Sequence, residues 1–409
     1  MNFLLKVDNP ISMNTNAPTC LLFTILVVLS LSSGCKKADD TSSDIIYIND
    51  SAVVIDPAFY TLSGSGGKDA GRIFLAFETN HAKTGTLVIL DEKGNVMKEK
   101  KINARADNFQ KWNINGQTVY SYFEAAGNNP ISGVIEGYDI ICDTNFNVLS
   151  TAKFLPRGST DATFDDRLDV HDFICLGENH YMAIATNVES PTNIPDSLHP
   201  SSHVKVLACL IQEVNNGEVV FQWDGTSYPE FYGASVENND FSNALDTMDY
   251  MHMNSICIDP NDNNIICSFR NLNEIIKINR TSGNVMWRLG GIKSDFVQTT
   301  DEEFLRQHYV RFDDDGKTLI FLDNGDSALR PYSRILEFQL NETAKKINNF
   351  KAYNIPDQFI RYAGSVKKTN DNYFIGGGSA NYTLQVNYLT DEVYLRLDQK
   401  TNSYRSLKY

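Results

Sequence analysis

The stretch "MHMNSICIDPNDNNIICSFRN", residues 251–271, contains the pattern from which the fold can be predicted. Apolar residues on both sides of a Pro/Asn/Asp turn predict a β-hairpin. The stretch that follows it, "EIIKINRTSGNVMWRL" from residue 274, predicts a second hairpin around a Ser/Gly/Asn turn. Together the two stretches predict one four-stranded antiparallel sheet. His252 begins the first strand and Arg270 ends the second, so the first hairpin brings both groups to the same edge of this sheet.

The second hairpin of this unit recurs along the chain, and another pair of strands precedes it. Its six copies begin at about 50- to 70-residue intervals, at Thr86, Tyr138, Val206, Glu274, Arg334 and Leu384. Six four-stranded antiparallel units with almost no helical periodicity predict an all-β fold, a six-bladed β-propeller. A β-sandwich would show shorter spacing and no grouping of strands by four.

Length and charge exclude some classes of protein. With 409 residues, of which 42% are hydrophobic, the chain is long enough to bury a large core. The formal net charge is −15, and Lys and Arg do not cluster. Such a chain lacks the basic surface that grips nucleic acid.

The N-terminal segment has the features of a targeting signal. Residues 20–33, "CLLFTILVVLSLSS", form an apolar run that is short for a membrane span, and small residues and Cys35 follow it. This pattern resembles a bacterial lipoprotein signal over residues 1–35, with Cys35 acylated and the chain anchored in the cell envelope. A plain cleaved signal and an uncleaved anchor are the alternatives. Residues 36–69 then form a tether with a candidate closing strand near Ile45, and residues 70–409 form the propeller.

The remaining cysteines predict no disulfide framework. Five of them lie in apolar, strand-like runs without a CxxC motif: Cys142, Cys175, Cys209, Cys257 and Cys267. This placement is typical of buried thiols. Cys257 and Cys267 flank one turn, and we expect no bond between them.

Three of the seven histidines share one position in the repeat. His171, His252 and His308 each begin the first strand of a predicted blade. Because the first strand of each propeller blade lines the central channel, we expect all three imidazoles, with Arg270, at one mouth of that channel. A three-histidine zinc site is geometrically feasible there. The arginine argues against zinc, because a fixed cation repels a dication, and favours an anionic substrate.

Several short blocks from residue 171 onward resemble the bacterial arylsulfate sulfotransferase family (aryl-sulfate:phenol sulfotransferases). The resemblance extends from about residue 165 to the C-terminus. The blocks are "HDF" from residue 171, "DYMHMNSI" from 249, "SFRN" from 268, "TSGNVMWRLGG" from 281, "QH" from 307, "FLDNG" from 321, "GSV" from 364 and "YR" from 404.

This resemblance implies a six-bladed propeller enzyme that moves a sulfuryl group from an aryl sulfate to a phenol through a sulfated histidine. It implies no nucleotide sulfate donor and no cofactor or metal. His308 matches the histidine that is sulfated, and His252 and Arg270 match residues that hold sulfate oxygens. His171 matches a further active-site histidine, and Asn254 lies in the same block as His252.

The chemistry of sulfuryl transfer suits these residue types. The transfer is loose and in-line, with charge on the equatorial oxygens and on the leaving oxygen. A neutral imidazole such as His308 is a competent nucleophile near pH 7, while Arg270, His252 and His171 stabilise charge. Asp249 is placed to orient an imidazole, and Asn254 either contacts substrate or braces the turn. A non-catalytic, lipid-anchored propeller that binds a ligand or protein partner and, less well supported, a metal-dependent hydrolase are the alternatives.

Overall fold

The strands form small antiparallel sheets of four or five strands, each containing one of the six repeats. The computed structural model describes residues 45–48, 51–54, 59–64, 66–79, 83–127, 133–156, 165–356 and 359–409. Six such sheets surround a central channel, so the prediction of a six-bladed β-propeller is confirmed. We number the blades by chain order and give their strands from the innermost outward.

The first three blades are built as follows. Blade 1 contains Ser406–Lys408, Ile73–Thr79, Thr84–Leu90 and Val96–Ile102. Blade 2 contains Ala106–Ile114, Gln117–Ala125, Glu136–Cys142 and Val148–Ala152, with Leu168–Asp169 pairing to its third strand. Blade 3 contains Phe173–Gly177, His180–Glu189, Lys205–Asn215 and Glu218–Asp224, with Thr247–Met248 pairing to its third strand.

The last three blades follow the same plan. Blade 4 contains Met253–Ile258, Ile265–Phe269, Glu274–Ile278 and Val285–Gly290. Blade 5 contains His308–Phe312, Thr318–Asp323, Arg334–Asn341 and Lys346–Asn354. Blade 6 contains Ser365–Thr369, Asn372–Gly376, Tyr382–Asn387, Val393–Gln399 and the outer strand Tyr60–Ser63. In every blade the predicted repeat hairpin forms the third and fourth strands.

Within the ranges described above, helix is confined to six short 3₁₀ segments between strands. They are Asp196–Leu198, Gly225–Ser227, Pro229–Ala234, Arg270–Leu272, Gly291–Lys293 and Gly378–Ala380. In the described part of the chain, none of the helices has the length and apolar character needed to cross a membrane.

The C-terminus closes the ring. Ser406–Lys408 pairs with Ile73–Thr79, so the last strand of the chain is the innermost strand of blade 1. The stretch near Ile45 that the sequence suggested as a closing strand forms a separate two-stranded sheet, Ile45–Ile48 with Ser51–Val54. Cys35 and the apolar run before it lie outside the described residues.

The core is distributed between the blades. Each of the six buried hydrophobic clusters draws its residues mainly from two adjacent blades. Between blades 3 and 4, for example, the rings of Trp223 and Phe269 are 5.8 Å apart. Apolar contacts of this kind stabilise the ring without filling its axis.

The five cysteines within the described residues are buried and free, as predicted. Cys257 pairs with Ile266 and Cys267 with Ile256, which places the two cysteines on neighbouring rungs of one hairpin. Because side chains on neighbouring rungs point to opposite faces of a sheet, these thiols enter different clusters.

Candidate active site

One side chain from every blade lines a single cavity on the channel axis. Each of these six residues lies within two positions of the start of an innermost strand, because all innermost strands start at the same face of the ring. The cavity has a volume of about 750 Å³. In blade order, the six residues are Tyr404, Arg105, His171, His252, His308 and Ala363. The structure thus brings the three predicted histidines together.

Arg270 reaches the same cavity from the end of a second strand. The Arg270 backbone N–H donates to the His252 carbonyl at 2.9 Å, and the Asn271 N–H donates to the Met251 carbonyl at 3.0 Å. The two ends of the hairpin therefore meet at the channel mouth, as the sequence predicted. Arg270 lines the cavity beside His252.

His252 is held as a hydrogen-bond donor. Its Nδ1 lies 2.5 Å from Oδ2 of Asp249, three residues earlier. Burial alone would lower the pKa of His252, but the Asp249 carboxylate outweighs burial, and the pKa is raised. His252 also has a φ of 53°, in the left-handed region that costs a non-glycine residue about 1–3 kcal/mol. The surrounding hydrogen bonds must hold this backbone in place.

His171 is arranged in the same way. Its Nδ1 contacts Oδ1 of Asp169, two residues earlier. The His171 and His252 rings meet edge to face with their centroids 4.8 Å apart. Because both Nδ1 atoms face carboxylates, each ring leaves its Nε2 for other partners, and none of the described residues bonds to either Nε2.

His308 differs from the other two histidines. Its Nδ1 lies 2.8 Å from the Gly364 carbonyl, which can only accept, so Nδ1 carries the proton. Its Nε2 therefore has a lone pair, which accepts from the Tyr404 hydroxyl at 2.9 Å. Burial lowers the pKa of His308 well below its ordinary value, and Arg405 lowers it further. The imidazole is neutral at pH 7, with its lone pair at the cavity.

The Gly364 carbonyl is positioned by a conformation that favours glycine. Gly364 has a φ of 95°, and a Cβ at this position would lie 2.7 Å from the Gly376 carbonyl oxygen. A side chain would both strain this backbone and collide with the neighbouring strand. Glycine therefore maintains the acceptor that sets the tautomer of His308.

A buried ion cluster lies next to this site. Asp172 is fully buried and accepts from Arg405 at 2.9 Å and from Arg311 at 2.8 Å. Burial would raise the pKa of Asp172, but the two guanidinium groups outweigh it and lower the pKa. Arg405 follows Tyr404, so this cluster anchors the strand that brings the tyrosine to His308.

Asn254 does not line the cavity. Its side chain is fully buried, and its Nδ2 donates to the Gln307 carbonyl at 2.7 Å. The Gln307 side chain in turn donates to the Glu274 carbonyl at 2.8 Å. Asn254 therefore ties blade 4 to the residue that precedes His308, which is a bracing position and not one that meets substrate.

Arg270 is tethered by a residue that the sequence analysis missed. Its Nη1 donates to Glu237 at 2.9 Å and to the Asn271 side chain at 2.5 Å. Glu237 also accepts from Arg306, two residues before His308. One carboxylate thus holds two arginines, and Nε and Nη2 of Arg270 have no hydrogen-bond partner among the described residues.

The remaining wall of the cavity is partly apolar and partly polar. Its apolar part contains Val134, Ile135, Val170 and Tyr362. Its polar part contains Glu78, Arg105 and the four asparagines Asn238, Asn271, Asn324 and Asn402. Within the described residues, no group of three or more His, Cys, Asp or Glu side chains has the arrangement that would hold a metal ion. The arrangement suits a molecule with an anionic end and an aromatic end.

The fold and this site define a propeller enzyme with a histidine- and arginine-lined channel. A family model described as Arylsulfotransferase (ASST) matches residues 33–409, which is nearly the whole chain. The chain therefore belongs to the arylsulfotransferase family and is an aryl sulfotransferase enzyme, as the sequence motifs indicated. No curated protein matches the chain.

The chain has a distant likeness to solved structures. A protein of unknown function from Bacteroides caccae is 10% identical, with a TM-score of 0.45 and coverage of 83% of this chain and 99% of that chain. A catalytically inactive virginiamycin B lyase from Staphylococcus aureus is 9% identical, with a TM-score of 0.38 and coverage of 83% and 88%. Likeness at this level says nothing about what this chain does.

Proposed function

We propose that the enzyme transfers a sulfuryl group from an aryl sulfate to a phenol through a sulfated His308, without a nucleotide sulfate donor. The observation that carries this proposal is the tautomer of His308. A neutral imidazole with its Nε2 lone pair facing a cavity that contains Arg270 and His252 has the features of a nucleophile for an anionic ester.

In the first half-reaction, the hydrogen bond between the Tyr404 hydroxyl and Nε2 of His308 breaks, and Nε2 attacks sulfur. The S–N bond forms, the bond from sulfur to the aryl oxygen breaks, and its electron pair leaves with the aryl oxygen. Arg270 and His252 hold the equatorial oxygens. His171, whose Nδ1 is held by Asp169, protonates the departing phenolate.

The second half-reaction reverses these steps with a new phenol. The acceptor gives its proton to His171, its oxygen attacks sulfur, and the S–N electron pair returns to Nε2 of His308. Because the proton and the lone pair both return, the enzyme is regenerated without an external acid or base. Rapid quenching of enzyme with p-nitrophenyl sulfate and no acceptor tests this sequence, since it should trap one sulfuryl group per chain.

We also propose that Cys35 carries lipid and anchors the enzyme in the bacterial cell envelope. The support is in the sequence, where a short apolar run ends in small residues before Cys35. Mass spectrometry of the mature N-terminus tests the anchor separately from the chemistry.

A further inference from the structure

Two side chains of opposite charge, Arg270 and Glu78, line opposite sides of the cavity because of the geometry of a six-bladed ring. Blade 1 lies opposite blade 4, and blade 2 lies opposite blade 5. Arg270 directly follows the second strand of blade 4, and Glu78 is the penultimate residue of the second strand of blade 1. Both residues line the cavity, so a carboxylate faces the sulfate-binding arginine across the channel.

One carboxylate oxygen of Glu78 has no hydrogen-bond partner among the described residues. Its Oε1 accepts from Arg105 at 2.6 Å and from Asn402 at 3.3 Å, whereas no described residue bonds to Oε2. Burial raises the pKa of Glu78, and Arg105 opposes that rise. A cation arriving at Oε2 would favour the ionised carboxylate further.

Arg105 does not make the Glu78 side of the cavity cationic. Its Nε donates to fully buried Asp107 at 2.6 Å, while its Nη2 bonds to Glu78. Two carboxylates and one guanidinium leave a formal charge of −1 on this trio. An anionic group is therefore disfavoured here, and a cation is favoured.

The proposed reaction places the aryl group on the Glu78 side of the cavity. In-line attack from His308 in blade 5 requires the leaving oxygen on the far side of sulfur, toward blade 2. On that side, Val134 and Ile135 provide an apolar wall for an aromatic ring. Glu78 in the adjacent blade 1 is then within the part of the cavity that a ring substituent enters.

We infer that Glu78 determines substrate specificity and that the enzyme prefers aryl groups carrying an ammonium, such as phenolic amines and their sulfate esters. Such a molecule has its anionic sulfate at Arg270 and its cation at Glu78. Phenols that carry a carboxylate at the same distance are the poorest substrates. This inference rests on the proposed function, because in-line transfer from His308 sets which end receives the ring.

Three acceptors of matched size test the inference, with p-nitrophenyl sulfate as donor. They are 4-(2-aminoethyl)phenol, 4-ethylphenol and 3-(4-hydroxyphenyl)propanoate. We expect kcat/KM to fall in that order, with the amine about tenfold or more above 4-ethylphenol, as for other close charge pairs in a shielded site. In Glu78→Gln the ratio of amine to 4-ethylphenol should fall to near one, whereas Glu78→Asp should retain a preference.

The control variant is Glu92→Gln, outside the cavity, where Glu92 lies 3.8 Å from Arg72. This variant should keep the wild-type ratios. Equal rates for the three acceptors in the wild type, or an unchanged ratio in Glu78→Gln, would overturn the inference and leave the proposed function standing. If Glu78→Gln does not fold, the wild-type order and Glu78→Asp decide. No turnover of any acceptor would remove the proposed function and, with it, this inference.

Discussion

His308 donates from Nδ1 to the Gly364 carbonyl at 2.8 Å, and this bond fixes which nitrogen is available for chemistry. A carbonyl cannot donate, so in the neutral imidazole the proton stays on Nδ1 and the lone pair on Nε2. The other two histidines differ in that their Nδ1 atoms face carboxylates, Asp169 for His171 and Asp249 for His252. Three histidines in one repeat position thus have two kinds of Nδ1 partner, a neutral carbonyl for His308 and a carboxylate for the other two.

The first prediction concerns pH. His308 must be neutral to attack, and its lowered pKa means that activity falls only well below pH 6.5. His252 must be protonated to stabilise sulfate oxygens, and its raised pKa keeps it charged to above pH 6.5. We expect a bell-shaped profile of kcat/KM with limbs on either side of this value. Asp249→Asn should lower the pKa of His252 and move the alkaline limb to lower pH, and an unmoved limb would contradict the assignment.

The second prediction concerns Arg270. Replacement by lysine keeps the charge but removes the planar fork, so we expect Arg270→Lys to lose about 10²–10³ in kcat. The matched control is Arg396→Lys, because Arg396 is on the outer part of blade 6 and pairs with Asp398. Steady-state rates with p-nitrophenyl sulfate measure both variants. A rate for Arg270→Lys near that of the control would show that Arg270 does not hold sulfate.

The third prediction separates bracing from substrate contact at Asn254. Because Asn254 is buried and bonded to the Gln307 carbonyl, Asn254→Ala leaves that carbonyl unpaired and should cost about 1–3 kcal/mol of unfolding free energy. Denaturant unfolding measures the loss. A variant with unchanged stability but a raised KM for the donor would instead show that Asn254 binds substrate.

Features of the fold and of the site could be predicted from the sequence where residues close together in the chain determine them. Features that depend on contacts between residues far apart in the chain could not. The repeat hairpins and the three histidines were predictable, because alternation, turn residues and repeat position are local signals. Asp249 was found for the same reason, and Asp169, two residues before His171, carried the same signal but was missed. Neither the blade that Ser406–Lys408 joins nor the contact of Tyr404 with His308 has a local signal. Both result from pairing between residues far apart in sequence.

The fourth prediction concerns the N-terminus. If residues 1–35 are a lipoprotein signal, mass spectrometry of protein from its native membrane should find Cys35 as the first residue, carrying acyl chains. Cys35→Ser should release the protein from the membrane fraction and leave turnover of p-nitrophenyl sulfate in detergent unchanged. An unmodified mature N-terminus downstream of Cys35 would rule out the anchor.

The fifth prediction is that sulfuryl transfer passes through His308, the step on which the proposed function depends. Incubation with an aryl sulfate donor and no acceptor, followed by mass spectrometry of peptides, measures it directly. We predict one added sulfuryl group per chain, on His308, that disappears when a phenol is added. His308→Ala should neither label nor turn over, because no covalent intermediate can form. Label on His171, His252 or a tyrosine, or turnover without any label, would contradict transfer through His308.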